Sequence, residues 1–507
     1  MSTFVNASRI AIIGAGPGGL AAAKYLTAEK AFSKIVIFEQ RSYVGGIWKY
    51  TPESNNDNTF TVPSTDPNMQ LEIPLRRLST RQGEKIVTAR EERNGSILSD
   101  PIFPSPIYDR LETNIPRSLM RFSDHCFSDD TQLFPKHATV QDYLERYADP
   151  IRHLVQFRKQ VSSVRLHQAD SLTDHSKDEW KINLTDLDSN EESTQIFDAV
   201  IVASGHFITP FIPDIPGIRE WESQHPGSIT HSKFYRIPDP YSDKKVVVVG
   251  NFASGLDVSN QIAPLCKPPL LLCQKGETLL GGSASNSNIK PVSTISSLSP
   301  STRSILFSDG STESDIDNIV FCTGYLYTAP FLTNETITPP IISPSGQRMQ
   351  NTYHHLFYAP HPTLALVALP QKVIPFPLAE AQAAVLARVY SGRLGLPSLA
   401  KMQEWESAVL AERGEKGFHT LHFPKDAEYI NYLYDLAETA ERRDGLDSDG
   451  RGKIAKRWGE WEFWARERFP EIRRAFVEKG EEKAKVTRLE QIGFDFERFR
   501  EERMREL

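Results

Sequence analysis

The fold is decided near the start of the chain, where residues 10–26 read IAIIGAGPGGLAAAKYL. The apolar run at residues 10–13 predicts a buried strand, the glycine cluster a tight turn, and the residues after it a helix. Gly14 permits the tight turn, Gly16 lets the backbone approach a pyrophosphate, and Gly19 allows the helix to pack closely on the strand. The pattern is typical of a Rossmann-like dinucleotide-binding domain.

The residues around this turn favour the same prediction. Pro17 and Gly18 open the helix, whose unpaired N–H groups and positive dipole end would face the phosphates. Residues 35–38 (IVIF) predict the next strand, and Glu39 stands at its end. The Glu39 carboxylate can accept hydrogen bonds from a ribose 2′-hydroxyl. A purely structural turn is the alternative, and the strand, helix and acid at these spacings favour dinucleotide binding over it.

A second strand, turn and helix follow in the middle of the chain, where residues 245–255 read KVVVVGNFASG. Gly250 and Gly255 take the first and last glycine positions, Ser254 supplies a hydroxyl, and Phe252 stands where the middle glycine is usual. Beyond the next predicted strand comes Lys275 and no acid. Because a lysine attracts a 2′-phosphate, we expect NADPH rather than NADH at this site. A structural strand–helix turn is again the alternative.

Composition narrows the class of protein. The chain has 507 residues, 39% of them hydrophobic, which suits several domains with sizeable cores. Its net charge of −7 is spread along the sequence, which argues against a nucleic-acid partner. The sequence has no apolar run long enough to cross a membrane, and its four cysteines form no CxxC pair. We expect a cytoplasmic protein with no membrane partner, and we leave a homodimer open.

The remaining sequence divides by pattern. We predict an irregular insertion at residues 51–106, a strand-rich meander at 161–202 and a loop at 281–302. Helical patterns follow from about residue 378, and the spacing of Trp458, Trp461 and Trp464 indicates a helix packing stripe. His419 and His422 stand three apart, as metal ligands can, but no third ligand is nearby, so we expect a surface pair and no metal.

Five further segments resemble the flavin-containing monooxygenase family. They are residues 45–48 (GGIW), similar to the GGxW segment that meets the flavin, 108–116 (YDRLETNIP), similar to YxxLxTNxP, 225–235 (HPGSITHSKFY), similar to FxGxxxHxxx(Y/F), 322–325 (CTGY) and 376–383 (FPLAEAQA). The likeness covers residues 8–400. It assigns cofactor contacts, in these segments and at the start of the meander, to Gly46, Ile47, Trp48, Thr113, Asn114, Val161, Thr323, Gly324 and Gln382.

The resemblance implies FAD in the first site and NADPH in the second. The expected fold is α/β, with two Rossmann-like dinucleotide-binding domains and a C-terminal helical extension. The FAD-binding domain takes residues 1–208 and returns at 331–400, the NADPH-binding domain is inserted at 209–330, and residues 401–507 form the helical region.

The resemblance also implies a reaction. Hydride passes from NADPH to flavin N5, dioxygen adds at C4a to give a hydroperoxyflavin, and a nucleophilic sulfur or nitrogen of a small molecule takes the distal oxygen. Asn114 is the expected catalytic residue, as a polar contact near the flavin, the nicotinamide and oxygen. His231 is expected at a hinge rather than in proton transfer.

Two other functions remain open at this point. The related Baeyer–Villiger enzymes, which act on ketones, follow the same histidine with Trp-Pro, whereas Tyr235 and Arg236 stand here and favour heteroatom oxygenation. A scaffold that keeps FAD only for stability is the alternative outside enzymology. His225 and Phe252 depart from the family pattern, and both departures bear on the geometry of the NADPH domain.

Overall fold

The computed structural model describes residues 4–52, 60–68, 70–80, 83–88, 100–168, 178–276 and 287–506. Its strands are β1 Arg9–Ile13, β2 Lys34–Glu39, β3 Leu75–Thr80, β4 Gly83–Thr88, β5 Val155–Phe157, β6 Lys159–Gln168, β7 Glu179–Asp186, β8 Glu192–Phe197, β9 Ala199–Val202, β10 Thr209–Pro210, β11 Ile229–His231, β12 Val246–Val249, β13 Leu270–Cys273, β14 Ile289–Val292, β15 Ile295–Ser299, β16 Ser304–Phe307, β17 Thr312–Glu313, β18 Asn318–Phe321, β19 Tyr325–Leu326, β20 Thr352–Tyr353, β21 Phe357–Tyr358 and β22 Leu364–Leu366. Its α-helices are α1 Pro17–Ala28, α2 Arg117–Met120, α3 His137–Ala148, α4 Ile218–Gln224, α5 Ala253–Ile262, α6 Pro375–Tyr390, α7 Leu399–Gly417, α8 Lys425–Glu438, α9 Asp447–Gly450, α10 Glu460–Glu467, α11 Phe469–Val477 and α12 Phe496–Glu506.

The first sheet has seven strands in the order β20-β21-β22-β9-β1-β2-β5. Strand β1 lies inside this sheet and pairs in parallel with β2 on one side and with β9 on the other. Successive β1 side chains point to opposite faces, so Ile10 and Ile12 pack with α1 and α6, while Ala11 and Ile13 pack against the β6-β7-β8 meander. Both faces are covered, which explains why the strand is apolar throughout.

The second sheet has five parallel strands in the order β11-β18-β12-β13-β14. It too is packed on both faces, with α5 on one side and α4 with the β15-β16-β17 sheet on the other. Two such doubly covered sheets, the first mixed and the second parallel, and the helices that follow confirm the predicted α/β fold with two Rossmann-like domains and a C-terminal helical extension.

The chain crosses between the two sheets twice, at neighbouring points. Strand β10 leads into the second domain and β19 leads out of it, and the two pair antiparallel with Thr209 opposite Leu326. The second domain is therefore an insertion whose two ends lie side by side.

The helical region after residue 400 packs on the first domain through its tryptophans. Trp458 and Trp461 contact the core that contains α1 and α6, whereas Trp464 joins a separate cluster with Leu133, Phe134 and the last helices. The three tryptophans thus pack in two separate cores, and the predicted single helix stripe is wrong, because Trp458 precedes α10.

Two segments expected to be irregular contain strands. β3 and β4 form an antiparallel hairpin inside the 51–106 insertion, and β14 and β15 lie inside the predicted 281–302 loop. The sequence pattern does not reveal β14 and β15, because both are edge strands with few apolar side chains. Backbone hydrogen bonds join them to their neighbours. Residues 53–59, 69, 81–82, 89–99 and 281–286 lie outside the described residues.

Among the described residues, neither a membrane-spanning helix nor a cluster of metal-binding side chains occurs. No helix there is long and apolar enough to cross a membrane. No group of three or more His, Cys, Asp or Glu side chains there could hold a metal ion. His419 is not a surface residue as predicted, because only 2% of it is exposed and its Nδ1 lies 3.0 Å from Nδ1 of His355.

A buried acid inside helix α6 makes stability depend on pH. Burial raises the pKa of Glu380 to about 7, although the backbone N–H and the hydroxyl of Ser123 both donate to its carboxyl group. The unfolded chain releases this proton near pH 4.5, so the folded state binds the proton more tightly and its stability falls as pH rises from about 4.5 to 7.

We therefore expect Glu380→Gln to remove this pH dependence. Between pH 5 and pH 8 the variant should gain up to about 3 kcal/mol of unfolding free energy relative to the parent, measured by urea denaturation. Exposed Glu404→Gln on α7 is the matched control and should leave the difference between the two pH values unchanged. Parallel curves for Glu380→Gln and the parent would show that Glu380 is ionised in the folded protein.

Candidate active site

The first glycine turn is packed tightly on its inner side. Gly14 has a φ of +104°, and a Cβ there would lie 2.6 Å from the carbonyl oxygen of Ala203 at the end of β9. A Cβ on Gly19 would lie 2.0 Å from the carbonyl oxygen of Gly14. Only glycine fits at both positions, so helix α1 starts directly against the end of β1 with no side-chain cap on its first N–H groups. Those groups are available to an anion.

Glu39 binds the backbone on both sides of this turn. Its Oε2 accepts a hydrogen bond from the N–H of Ala15 at 2.8 Å, and its Oε1 accepts one from the N–H of Arg41 at 2.9 Å. Only 3% of the residue is exposed. Each carboxylate oxygen keeps a second lone pair, so Glu39 can also accept from ribose hydroxyl groups.

The GGIW segment rests on the same turn. Gly45 and Gly46 have φ values of +99° and +61°, and the N–H of Gly45 donates to the carbonyl of Ala15 at 2.9 Å. Residues Gly46–Trp48 form a short 3-10 helix. Trp48 meets the ring of Phe376 edge to face, with centroids 6.3 Å apart. An aromatic wall thus continues from the phosphate turn toward α6.

The second glycine turn repeats the geometry of the first. Gly250 has a φ of +114°, and a Cβ there would lie 2.6 Å from the carbonyl oxygen of Cys322 at the end of β18. A Cβ on Gly255 would lie 1.7 Å from the carbonyl oxygen of Gly250. In both domains, therefore, the first and last glycines are required because a side chain at either position would clash with a backbone carbonyl oxygen.

Phe252 does not disturb this turn. It precedes α5 in extended conformation, with φ −94° and ψ −167°, as Gly16 precedes α1 with φ −75° and ψ −178°. At a negative φ any residue is allowed, so the backbone conformation of this turn does not itself require a glycine here. The side chain is 44% exposed, and Nζ of Lys372 lies 5.0 Å from its ring centroid.

Both turns open into one cleft of about 1620 Å³ between the two domains. The wall of this cleft includes most of the residues predicted from the sequence to touch a cofactor. These are Gly14, Gly16, Pro17, Gly18, Glu39, Gly46, Ile47, Trp48, Val161, Gly250, Ser254, Lys275, Thr323 and Gly324. The first turn, Glu39 and the GGIW segment fit an FAD, and the second turn with Lys275 fits an NADPH facing it.

Other predicted residues are absent from the described wall of the cleft. Gly19 and Gly255 pack helix on strand, as their added-Cβ distances show. Gln382 contacts the wall indirectly, because its Oε1 accepts a hydrogen bond from the N–H of the lining residue Ala368 at 2.8 Å. Thr113 and Asn114 lie on a buried to half-buried segment in which the N–H of Thr113 donates to the carbonyl of Pro135.

The cleft also has lining residues that the sequence did not single out. His206 is one, and burial lowers its pKa to about 4, so it is neutral at pH 7. Lys233 is another, and its Nζ donates to Glu72 at 2.9 Å and to the carbonyl of Ile208 at 2.6 Å. Lys372 follows β22. Lys233 lies inside the quoted segment 225–235, but no local signal pointed to Glu72 or Lys372.

His231 lies against residues 322–325, where the chain leaves the second domain and which we call the hinge. Both of its ring nitrogens have hydrogen-bond partners. Nδ1 accepts from the N–H of Lys233 at 3.1 Å, so Nε2 is the donor to the carbonyl of Gly324 at 3.0 Å. Burial lowers the pKa of His231 to about 3. Both ring nitrogens of this neutral imidazole are therefore engaged in hydrogen bonds, and its expected role at the hinge stays a prediction.

Comparison with protein families identifies this arrangement. Residues 104–289 and 288–447 match the model described as flavin-binding monooxygenase-like, and residues 12–65 match that of an NAD(P)-binding Rossmann-like domain. The chain belongs to the flavin-binding monooxygenase-like family. Its resemblance to flavin-containing monooxygenases is thereby confirmed, and so are FAD and NADPH as its cofactors.

Individual relatives of this flavin monooxygenase align over most of its length. Flavin-containing monooxygenase FMO GS-OX3 of Arabidopsis thaliana is 32% identical and covers 88% of each chain. The thiol-specific monooxygenase of Saccharomyces cerevisiae is 30% identical over 87% of this chain and 88% of its own. The solved structure of S-allyl-L-cysteine S-oxygenase from Allium sativum is 28% identical, with a TM-score of 0.71 and 97% of each chain covered.

Gly16 offers a sharp test of the first site. A Cβ there would have only Gly46 Cα near it, at 3.8 Å, so Gly16→Ala leaves the protein's own packing intact. The added methyl group would stand where the backbone must approach a pyrophosphate. We expect the purified variant to fold and to carry less than about a tenth of the parent's FAD, a loss of about 1.4 kcal/mol or more in binding free energy.

The ratio of flavin absorbance to protein, together with the circular dichroism spectrum, measures this outcome. Gly459→Ala, at the start of α10, is the control and should keep its FAD, because a methyl group there would only touch Oε2 of Glu462 at 3.7 Å. A Gly16→Ala protein with a full complement of FAD would place the pyrophosphate elsewhere.

Proposed function

We propose that this flavin monooxygenase oxygenates the sulfur atom of a small thiol or thioether. For a thioether the balanced reaction is R–S–R′ + O2 + NADPH + H+ → R–S(=O)–R′ + H2O + NADP+. The observation that carries the proposal is the likeness, over 97% of both chains, to a solved S-oxygenase of S-allyl-L-cysteine. The relative named thiol-specific also supports sulfur rather than nitrogen.

Tyr235 and Arg236 support sulfur oxygenation over reaction with a ketone. They stand where the resemblance to Baeyer–Villiger enzymes would require Trp-Pro. Tyr235 is 1% exposed and its hydroxyl donates to Gln261 at 3.1 Å. Arg236 donates to the carbonyl of Lys233 at 2.8 Å, and burial lowers its pKa to about 10. Both side chains are therefore buried in the interior of the second domain, near the hinge.

The residues of the chain itself bind the cofactors, orient them and shield the cleft from water. FAD, when bound, would supply hydride acceptance from NADPH and the activation of dioxygen. The N-termini of α1 and α5 would hold the two pyrophosphates, and Glu39 would orient the ribose of FAD. Trp48 and Phe376 give the cleft an apolar wall that limits water, which protects a reactive oxygen species from decay.

No acid–base triad is required, because a sulfur lone pair is itself the nucleophile. His231 fits this view, since both its nitrogens are engaged at the hinge. We keep Asn114 as the proposed polar contact near the reacting oxygen, carried by the resemblance. A cytoplasmic location and a homodimer also stay predictions.

A paired substrate assay tests the reaction class. With NADPH and air, the holoenzyme should convert a thioether to its sulfoxide with one NADPH consumed per product and little hydrogen peroxide released. A cyclic ketone should give no lactone. FAD-free Gly16→Ala protein controls for uncatalysed oxidation. Lactone formation at a rate equal to or above that of sulfoxide formation would favour the Baeyer–Villiger alternative.

Lys275 tests the choice of coenzyme. It follows β13 and lines the cleft, where its ammonium can contact a 2′-phosphate. Loss of one such exposed charge contact should cost about 1 to 2 kcal/mol, roughly tenfold in affinity. Lys275→Ala should therefore raise the KM for NADPH about tenfold and leave that for NADH nearly unchanged.

The matched control is Lys267→Ala. Lys267 is exposed and precedes β13, at the end of the strand away from the cleft, so neither KM should change. Equal effects of Lys275→Ala on both coenzymes would assign the phosphate contact to another residue.

A further inference from the structure

A second pocket, of about 600 Å³, opens beside the main cleft. Its walls are Phe211 directly after β10, residues 323–326 with strand β19, the segment at Gln371 and Lys372, the end of α7 and the start of α8. Residues 323–325, Gln371, Lys372 and Lys416 line both this pocket and the cleft. We call it the side pocket. A ligand held in it can reach into the cleft.

The side pocket is strongly cationic. Its wall contains the cations Lys372, Arg413, Lys416 and Lys425, and none of its described lining residues is Asp or Glu. His422 also lies in the wall, where burial lowers its pKa. Such a concentration of like charge is unfavourable unless an anion joins it. The wall therefore has the composition of an anion site.

Nearby acids compensate only part of this charge. Glu412, next to the wall, pairs with Lys425 and also lies 3.3 Å from Nε of Arg413. Nη1 of Arg413 is buried and has no hydrogen-bond partner in the described chain. Within the same described residues, Lys372 and Lys416 have no carboxylate at ion-pair distance, and desolvation together with the charge of Lys416 lowers the pKa of Lys372. Two ammonium groups and one guanidinium N–H group remain to bind a ligand.

The position of the side pocket separates it from the expected 2′-phosphate contact. The pocket is lined by residues that follow β18, whereas Lys275 follows β13. In the second sheet β12 lies between those two strands. An anion in the side pocket thus lies on the hinge side of the second turn, away from Lys275.

We propose that the side pocket binds the carboxylate of the substrate and so positions its sulfur atom in the cleft. This inference rests on the proposed sulfur oxygenation and narrows its substrate class to thiols and thioethers that carry a carboxylate a few bonds from sulfur. Lys372 and Lys416 neutralise the carboxylate, and Arg413 supplies a planar N–H donor that suits it.

A matched acid and ester test the proposal. The substrates are 3-(methylthio)propanoate and its methyl ester, which share the sulfur atom and differ in charge. The parent should favour the acid at least tenfold in kcat/KM. Lys416→Met and, separately, Lys372→Met should lower that preference about tenfold, because kcat/KM falls much more for the acid than for the ester. Lys401→Met, exposed on the same helix as Lys416 and outside the described wall of the pocket, is the control and should keep the preference.

A binding measurement separates this proposal from the proposed function. Pentanoate replaces the sulfur of the acid by a methylene group, so it can bind but cannot be oxygenated. Its dissociation constant for the oxidised holoenzyme, measured by NMR titration, should rise about tenfold in Lys416→Met and stay constant in Lys401→Met. If pentanoate behaves in this way but neither sulfur compound is oxygenated, the pocket assignment stands and the proposed function fails.

Two outcomes would overturn the side-pocket proposal. One is an acid-to-ester preference that Lys416→Met and Lys372→Met leave unchanged, with pentanoate bound equally by all variants. The other is a tenfold rise in the KM for NADPH in Lys416→Met with the preference for the acid intact, which would assign the pocket to a coenzyme phosphate.

Discussion

The contact between the first and last glycine of each turn is the constraint on which the cofactor cleft depends. A side chain on Gly19 or on Gly255 would run into the carbonyl oxygen of the glycine five residues earlier. Because nothing larger than hydrogen stands there, each helix begins close against the end of its strand. The helix N-terminus then faces the cleft, and Glu39 can reach back to the N–H of Ala15. Larger residues at these two positions would push the helices outward and remove the anion-binding geometry.

The two domains are coupled by polar contacts as well as by the chain. Lys233, on the second domain, donates to Glu72 in the insertion of the first domain and to the carbonyl of Ile208 just before the linker. Burial opposes ionisation of Glu72, but Lys233 and Arg41 outweigh it and lower the pKa of that acid. His231 ties β11 to the return strand through Gly324. The face-to-face arrangement of the two turns is thus fixed by charges and hydrogen bonds at the linker.

The sequence predicts best those features that a local backbone constraint determines. The glycine turns, Glu39 and Lys275 could be placed on the cleft because each lies at a fixed distance along the chain from a buried strand. Lys372 and Lys416 could not, since they come from segments far apart in sequence and meet only in the folded chain. Strands β14 and β15 were missed because they are polar. His419 was misplaced because packing against His355 buries a residue that is usually exposed.

Phe252 shows that a residue can depart from a sequence motif although the backbone of the motif is intact. A glycine is usual there, yet the backbone at this position is extended, with negative φ, and accepts any residue. The motif departs from the family pattern while the turn does not. Distances to the neighbouring strand, rather than the identity of each motif letter, decide whether such a turn is intact.

The pairing of β10 with β19 gives the second domain a single narrow stem. Thr209 and Leu326 stand opposite each other, so the whole coenzyme domain enters and leaves the flavin domain through adjacent strands. A module attached in this way can be exchanged for another of different coenzyme preference without cutting any strand of the seven-stranded sheet. A rotation about this stem would have to break the contacts of Lys233 with Glu72 and Ile208, whereas each glycine turn would keep its internal geometry.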